Sequence, residues 1–158
     1  MCFALTERLR EEGYETVSPV LDPRLKIYMQ PAAGGPGYTS NWSERHIAYA
    51  AGLGTFGISK NIITKRGSSG RCASIITKLS LPVTEREYSG LYDYCSSCGA
   101  CGLACPPKAI TKEGIKRHPP CGGFLDKVRE KENPYYGCGK CQCGTPCAYG
   151  IPEKGIIP

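Results

Sequence analysis

The spacing of apolar and polar positions predicts only short secondary-structure elements near the N-terminus. The charged stretch from Leu5 to Glu12 predicts an amphipathic helix, because its leucines lie four residues apart, and Gly13 ends it. Glu15 to Leu21 then predicts a strand. The Pro, Gly and Ala residues from Asp22 to Gly37 predict a loop, which is flexible at Ala32 to Gly37.

Three further elements follow from the same patterns. Asn41 has the properties of an N-cap for a helix that runs to Gly52, with an acid at its third position. Ile62 to Thr64 and Cys72 to Leu79 flank a Gly-Ser-Ser-Gly turn and predict a β-hairpin. Phe124 to Asn133 predicts a short helix. The elements indicate an α+β fold, and the glycines and prolines of the C-terminal half predict a loop-built region there.

The cysteines carry the strongest chemical signal. Four of the eleven stand in a C-x2-C-x2-C-x3-C-P run that ends at Pro106: Cys95, Cys98, Cys101 and Cys105. This is the spacing of bacterial ferredoxins, in which three cysteines bind one [4Fe-4S] cluster and the fourth binds another. The run therefore predicts two iron–sulfur clusters with crossed ligation.

A second group of cysteines supplies the remaining ligands. We assign the first cluster to Cys95, Cys98, Cys101 and Cys147, and the second cluster to Cys105, Cys121, Cys138 and Cys141. Cys143 is an alternative to Cys147 that spacing leaves open, although a residue two positions beyond Cys141 points to the same side in an extended segment. Structural zinc and disulfides are the competing interpretations, and neither explains the four-cysteine run.

Composition and charge limit the remaining choices. The 158 residues suffice for one compact domain or a small domain with a cluster-binding insert. The sequence predicts neither an export signal nor a membrane span, and its thiols favour the reducing cytoplasm. The formal charge is +6. Two clusters with their thiolates would lower it to about +2, which weakens the case for nucleic-acid binding.

Gly52, Gly54 and Gly57 form a G-x-G-x-x-G motif, which is also the dinucleotide-binding fingerprint. In dinucleotide-binding proteins that motif follows a strand, and an acidic residue stands about 20 positions later. Both features are missing here. The glycines do allow another surface, such as a planar cofactor or a neighbouring helix, to approach the backbone closely.

A family resemblance rests on Glu44 to Gly57, Asn61 to Thr64, Gly67 and the cysteine run. Together these segments resemble the epoxyqueuosine reductases and, more distantly, the reductive dehalogenases. The resemblance implies a partial nitroreductase-like, corrinoid-binding segment over 1–90 and a ferredoxin-like module with two [4Fe-4S] clusters over 91–158. It also implies the same eight cluster ligands.

The resemblance implies roles for further residues as well. Gly52, Gly54 and Gly57 would approach a corrinoid such as cobalamin, and Tyr38 stands where reductive dehalogenases have a proton-donating tyrosine. Only about 40 residues precede the region of resemblance, so a homo-oligomer or an upstream domain would have to complete the corrinoid site. The helical repeats that help epoxyqueuosine reductases hold tRNA have no counterpart here, so a tRNA substrate is not expected.

Two functions from different classes follow. The first is an oxidoreductase module whose clusters relay electrons, received from a redox partner protein, to a reductive site near Tyr38 to Gly57. The second is a stand-alone ferredoxin-type electron carrier without a corrinoid or substrate site.

Overall fold

The computed structural model describes residues 1–31 and 35–155. Its helices are α1 (Cys2–Glu11), α2 (Glu44–Ala50), α3 (Ala100–Leu103) and α4 (His118–Glu132), with a 3-10 helix at Pro19–Leu21. Its strands are β1 (Thr16–Val17), β2 (Ile27–Gln30), β3 (Gly37–Ser40), β4 (Gly54–Phe56), β5 (Ile62–Thr64) and β6 (Ile76–Thr77). The mixture of small helices and small sheets confirms the general α+β class.

The strands form three antiparallel pairs: β1 with β6, β2 with β3, and β4 with β5. The predicted hairpin between Ile62–Thr64 and Cys72–Leu79 is therefore wrong. Thr64 instead accepts the Gly67 N–H in a tight turn, and the chain leaves the sheet there. β6 pairs with β1, where the hydroxyl of Thr16 donates to that of Thr77 at 3.0 Å.

The loop predicted from Asp22 to Gly37 is wrong at Ile27–Gln30 and at Gly37, which are strand residues. β2 and β3 form a hairpin there, and Asn41 closes its open end. Its side chain accepts the Lys26 N–H at 2.9 Å and donates to the Arg24 carbonyl at 2.9 Å. The flexible loop predicted at Ala32–Gly34 lies outside the described residues.

The predicted helices agree with the structure better than the predicted strands do. α1 and α2 lie where the patterns indicate, but Ser43 rather than Asn41 occupies the N-cap of α2 because Asn41 is used in the hairpin. The helix predicted from Phe124 to Asn133 is α4, which begins earlier, at His118, so that Cys121 lies on its first turn. The strand predicted from Glu15 is extended only at Thr16–Val17.

The β4–β5 pair lies between α2 and the cysteine-rich region. Ala48, Phe56 and Ile62 form its buried cluster, and Ile63 and Thr55 are almost fully enclosed. Two hydrogen bonds connect β4 to the segment before the first cysteine: Phe56 N–H donates to the Leu91 carbonyl, and Tyr94 N–H donates to the Thr55 hydroxyl at 2.9 Å. β4 therefore positions the start of the cysteine run.

Candidate metal centres

A tight turn of the backbone brings the first cysteines together. Gly99 has a φ of 79°, a left-handed conformation that glycine adopts without a steric penalty, and it starts α3 directly after Cys98. Cys101 on α3 and Cys105 just after it are buried with Ala109 and Ile110. The spacing of the run thus places two thiols in a small apolar cluster.

The cysteines predicted for the first cluster line one narrow cavity. Its volume is about 20 Å³, and its walls include Cys95, Cys98, Cys101 and Cys147. Burial, together with the neighbouring thiols of Cys147 and Cys95, raises the pKa of Cys101 to about 11. Crowded thiols of this kind release protons when a metal binds them, because the thiolate is the ligand.

Two hydroxyl groups contact the last cysteine of this set. The Ser68 hydroxyl lies 3.5 Å from the Cys147 sulfur, and the Thr145 hydroxyl lies 3.4 Å from it. Backbone bonds hold the same loop, since Ser68 N–H donates to the Cys147 carbonyl at 2.8 Å. Cys147 is therefore fixed by the turn that follows β5.

The cysteines predicted for the second cluster line a different and much larger cavity. It has a volume of about 700 Å³, and its walls include Cys105, Cys121, Cys138 and Cys141. Burial raises the pKa of Cys121, while the ammonium of Lys116 opposes that increase. Each predicted set of four cysteines thus lines one cavity, and the ligation itself stays a prediction.

The sulfur atoms of the second set receive hydrogen bonds from nitrogen donors. The side-chain amide of Asn61 donates to Cys141 at 3.5 Å, and the ammonium of Lys116 approaches the same sulfur at 3.9 Å. The backbone N–H of Ala109 donates to the Cys105 sulfur at 3.3 Å. Donors of this type stabilise thiolates and the clusters that thiolates bind.

The second cavity also has a strongly positive lining. One carboxylate, that of Glu44, shares the walls with four cationic side chains: Arg45, Arg66, Arg71 and Lys116. Burial lowers the pKa of Arg45, which the thiols of Cys72 and Cys141 counteract. The lining of the first cavity contains no charged side chain among the residues described.

The remaining cysteines near these cavities have different positions. Cys143 is exposed and lines neither cavity, whereas its competitor Cys147 lines the first. Cys72, predicted as a buried strand residue, is half-buried, lies outside the strands and lines the second cavity. Burial raises its pKa, with a further increase from Glu44.

The thiols of the two sets are the ligands that iron–sulfur clusters require, and the two cavities differ in volume. Each cavity is lined by four of the predicted ligands, the number that a [4Fe-4S] cluster binds, and the second cavity is much the larger. In residues 1–31 and 35–155, no group of three or more Cys, His, Asp or Glu side chains is arranged to hold a metal ion.

The glycines proposed for a corrinoid contact their own chain instead of an open surface. A methyl group on Gly54 would lie 2.1 Å from the Ile63 carbonyl oxygen, and one on Gly52 would touch Arg86 and Thr84. Gly57 lines the narrow first cavity, where a methyl group would lie 3.2 Å from Ile63. At these three glycines the side-chain direction is thus occupied by the chain itself, and their role in binding a corrinoid stays a prediction.

Tyr38 lies apart from both cavities. It is on β3, its side chain is 64% exposed, and its backbone N–H donates to Nδ1 of His118 at 3.2 Å. Its ring centre lies 6.4 Å from that of His118. The structure does not bring Tyr38 together with the cysteine sets, and its role as a proton donor stays a prediction.

Three side chains that contact the sulfur atoms could not be identified from the sequence. Asn61 and Ser68 lie outside the cysteine run, and Lys116 is one of several cations between positions 108 and 117. Their proximity to sulfur depends on how the β5 turn meets the C-terminal loop, where Ser68 and Ser69 both donate to the Gln142 carbonyl. Spacing alone carries no signal for such contacts.

Comparisons with known proteins identify relatives at about 30% identity. The chain is 32% identical over 114 residues to an epoxyqueuosine reductase of Vibrio cholerae, covering 65% of this chain and 30% of the relative. It is 32% identical over 112 residues to an epoxyqueuosine reductase of Leadbetterella byssophila, covering 63% of this chain and 35% of the relative.

A trichloroethene reductive dehalogenase of Dehalococcoides mccartyi is 28% identical over 102 residues, covering 63% of this chain and 18% of the relative. No family model matches, and no solved structure matches. The chain spans about a third or less of the length of these curated relatives. The chain is thus related in sequence to the epoxyqueuosine reductases and, more distantly, to the reductive dehalogenases.

Proposed function

We propose that this chain is an iron–sulfur oxidoreductase module in which two [4Fe-4S] clusters relay electrons to a reductive site. The observation that supports it best is the division of eight cysteines between two cavities, four to each, in the sets predicted from spacing. The relationship to reductases supports a redox role. A low-potential redox protein would supply the electrons, one at a time.

The residues of this chain would hold the clusters and control their surroundings. Four thiolates bind each cluster, and the first set would use Cys147 rather than Cys143. A cluster supplies one-electron chemistry when bound. Asn61, Lys116 and the N–H of Ala109 would stabilise thiolates of the second set, while Ser68 and Thr145 contact Cys147 of the first.

A ferredoxin-type electron carrier is the second candidate. It is favoured by the packing of Gly52 and Gly54 against the chain itself, which leaves no cradle for a corrinoid at those glycines. A carrier of this kind needs a partner protein at each end of the transfer and no substrate. Reduction of epoxyqueuosine or of chlorinated ethenes, the substrates named for the relatives, would require a site beyond the two cavities.

Metal analysis after anaerobic reconstitution tests the proposal. We expect about eight irons per chain, two sets of four. After incubation with cobalamin and desalting, stoichiometric cobalt would favour the reductase, and iron without cobalt would favour the carrier. A chain that retains zinc and excludes iron would contradict both.

Matched cysteine variants test the ligand sets. Cys105→Ser should reduce the iron content by about half, because the second cluster loses one of its four thiolates. Cys143→Ser makes the same sulfur-to-oxygen replacement at a cysteine two residues from Cys141, and should leave the iron content unchanged. Equal iron in the two variants would refute the assignment.

A further inference from the structure

The two cysteine sets lie in different electrostatic surroundings, and this difference has a redox consequence that rests on the proposed function. The reduction potential of an iron–sulfur cluster depends on nearby charge, on hydrogen bonds to its sulfurs and on solvent exposure. We infer that the second set holds the cluster of higher potential, and that Lys116 and Asn61, through their contacts with the Cys141 sulfur, establish the difference.

The surroundings of the first set give little stabilisation to an added electron. Its cavity is narrow and lined by uncharged residues. Its sulfur contacts come from neutral donors, namely the hydroxyls of Ser68 and Thr145 at Cys147 and the backbone N–H of Gly102 at Cys101. Reduction increases the negative charge of a cluster, and poorly solvated surroundings disfavour the more highly charged form.

The surroundings of the second set have the opposite character. The ammonium of Lys116 lies 3.9 Å from the Cys141 sulfur, and the Asn61 amide donates to that sulfur at 3.5 Å. The guanidinium groups of Arg45, Arg66 and Arg71 line the same wide cavity, opposed by one carboxylate. A full positive charge stabilises an added electron more strongly than a hydroxyl dipole does.

The two sets thus differ chiefly in charge, because the sulfurs of the first have only neutral donors while an ammonium and three guanidinium groups surround the second. An electron on the first cluster would pass to the second, returning the first from the 1+ to the 2+ core while the second changes from 2+ to 1+. No proton moves in this step. A one-electron donor protein would therefore reduce the first cluster, and the electron would leave by way of the cation-lined cavity.

An anaerobic redox titration of the reconstituted protein, followed by electron paramagnetic resonance, tests the inference. We expect two separate one-electron steps in the unaltered chain. Lys116→Met should lower only the higher step, by about 59 mV, which is a tenfold loss in electron affinity for one electron. Lys116→Arg restores the charge and should return the step to near its original value.

Two further variants separate a local effect from a general one. Lys112→Met removes the same charge from an exposed residue that lines neither cavity, and should leave both steps in place. Asn61→Ala removes the other donor to Cys141 and should also lower the higher step, which keeps the test available if Lys116→Met fails to assemble. Iron content is measured on every sample.

The possible results are distinct. Two steps at one potential, or a shift of the lower step alone in Lys116→Met and Asn61→Ala, would overturn the inference while the proposed function stands. A shift of equal size in Lys112→Met would also overturn it, because the effect would then be one of overall charge. A chain that binds no iron would overturn the proposed function, and the inference with it.

Discussion

The first ninety residues and the cysteine-rich remainder are stabilised by different means. The first part contains all six strands described here, paired in three small sheets, and buries Phe56, Ile62 and Ile63. In the remainder, the buried hydrophobic cluster consists of Cys101, Cys105, Ala109 and Ile110, half of which are proposed cluster ligands. Apolar burial and hydrogen-bonded strands support the first part, whereas metal binding would have to support the second.

Iron removal should produce the largest contrast between these parts. Under a chelator, we expect 95–105 and 138–147 to lose most of their protection from amide hydrogen exchange, because their thiolates no longer share a cluster. β4 and β5 should retain most of theirs, since their pairing does not use a cysteine. Mass-spectrometric hydrogen exchange measures both. Equal loss in the two parts would show that the whole chain depends on the metal.

A single methyl group in the first part should have a smaller effect. Gly54→Ala would place its Cβ 2.1 Å from the Ile63 carbonyl oxygen, so the β4–β5 pair must separate. We expect the free energy of unfolding to fall by about 1–3 kcal/mol, the usual cost of overpacking a core, in denaturant titrations of the holo-protein.

The matched control for this change is Gly70→Ala. An added methyl group there meets nothing within 4 Å, so we expect a change within about 0.5 kcal/mol. A Gly54→Ala protein as stable as the Gly70→Ala protein would show that the β4–β5 pair tolerates the extra volume. It would then contradict the close packing of Gly54 against the Ile63 carbonyl.

Tyr38→Phe should have the smallest effect on the clusters. Its ring is exposed on β3 and lines neither cavity, so we expect unchanged iron content and unchanged potentials for both steps. Loss of substrate turnover with the clusters intact would support its assignment as a proton donor. Full turnover would remove that assignment, and a loss of iron would mean that the β2–β3 hairpin supports the metal centres.

Local pattern predicted the helices better than the strand pairs, for a physical reason. The hydrogen bonds of α1 and α2 join residues close in the chain, so spacing within ten residues predicts them. β1 pairs with β6 about sixty residues away, and β5 pairs with β4 rather than with the segment after its turn. Such choices depend on packing across the whole molecule, which periodicity does not contain.

The two ligand sets could be proposed from the sequence because the geometry of a cluster limits the ligand spacing. The surroundings of the sulfurs could not. Asn61 reaches Cys141 across eighty positions, and Lys116 was indistinguishable in the sequence from its basic neighbours. The glycines at 52, 54 and 57 were compatible in the sequence with a cofactor or with close packing, and the packing that the structure shows there depends on residues distant in the chain.

The turn after β5 has a consequence for how the protein assembles. The hydroxyl of Ser68 donates to the Gln142 carbonyl, next to Cys141 of the second set, and also contacts the sulfur of Cys147 of the first. Cys101 and Cys105, which belong to opposite sets, are joined through one short helical turn. Ordering either set would therefore order part of the other, so a chain that has lost one proposed cluster should still bind the other, but with lower affinity.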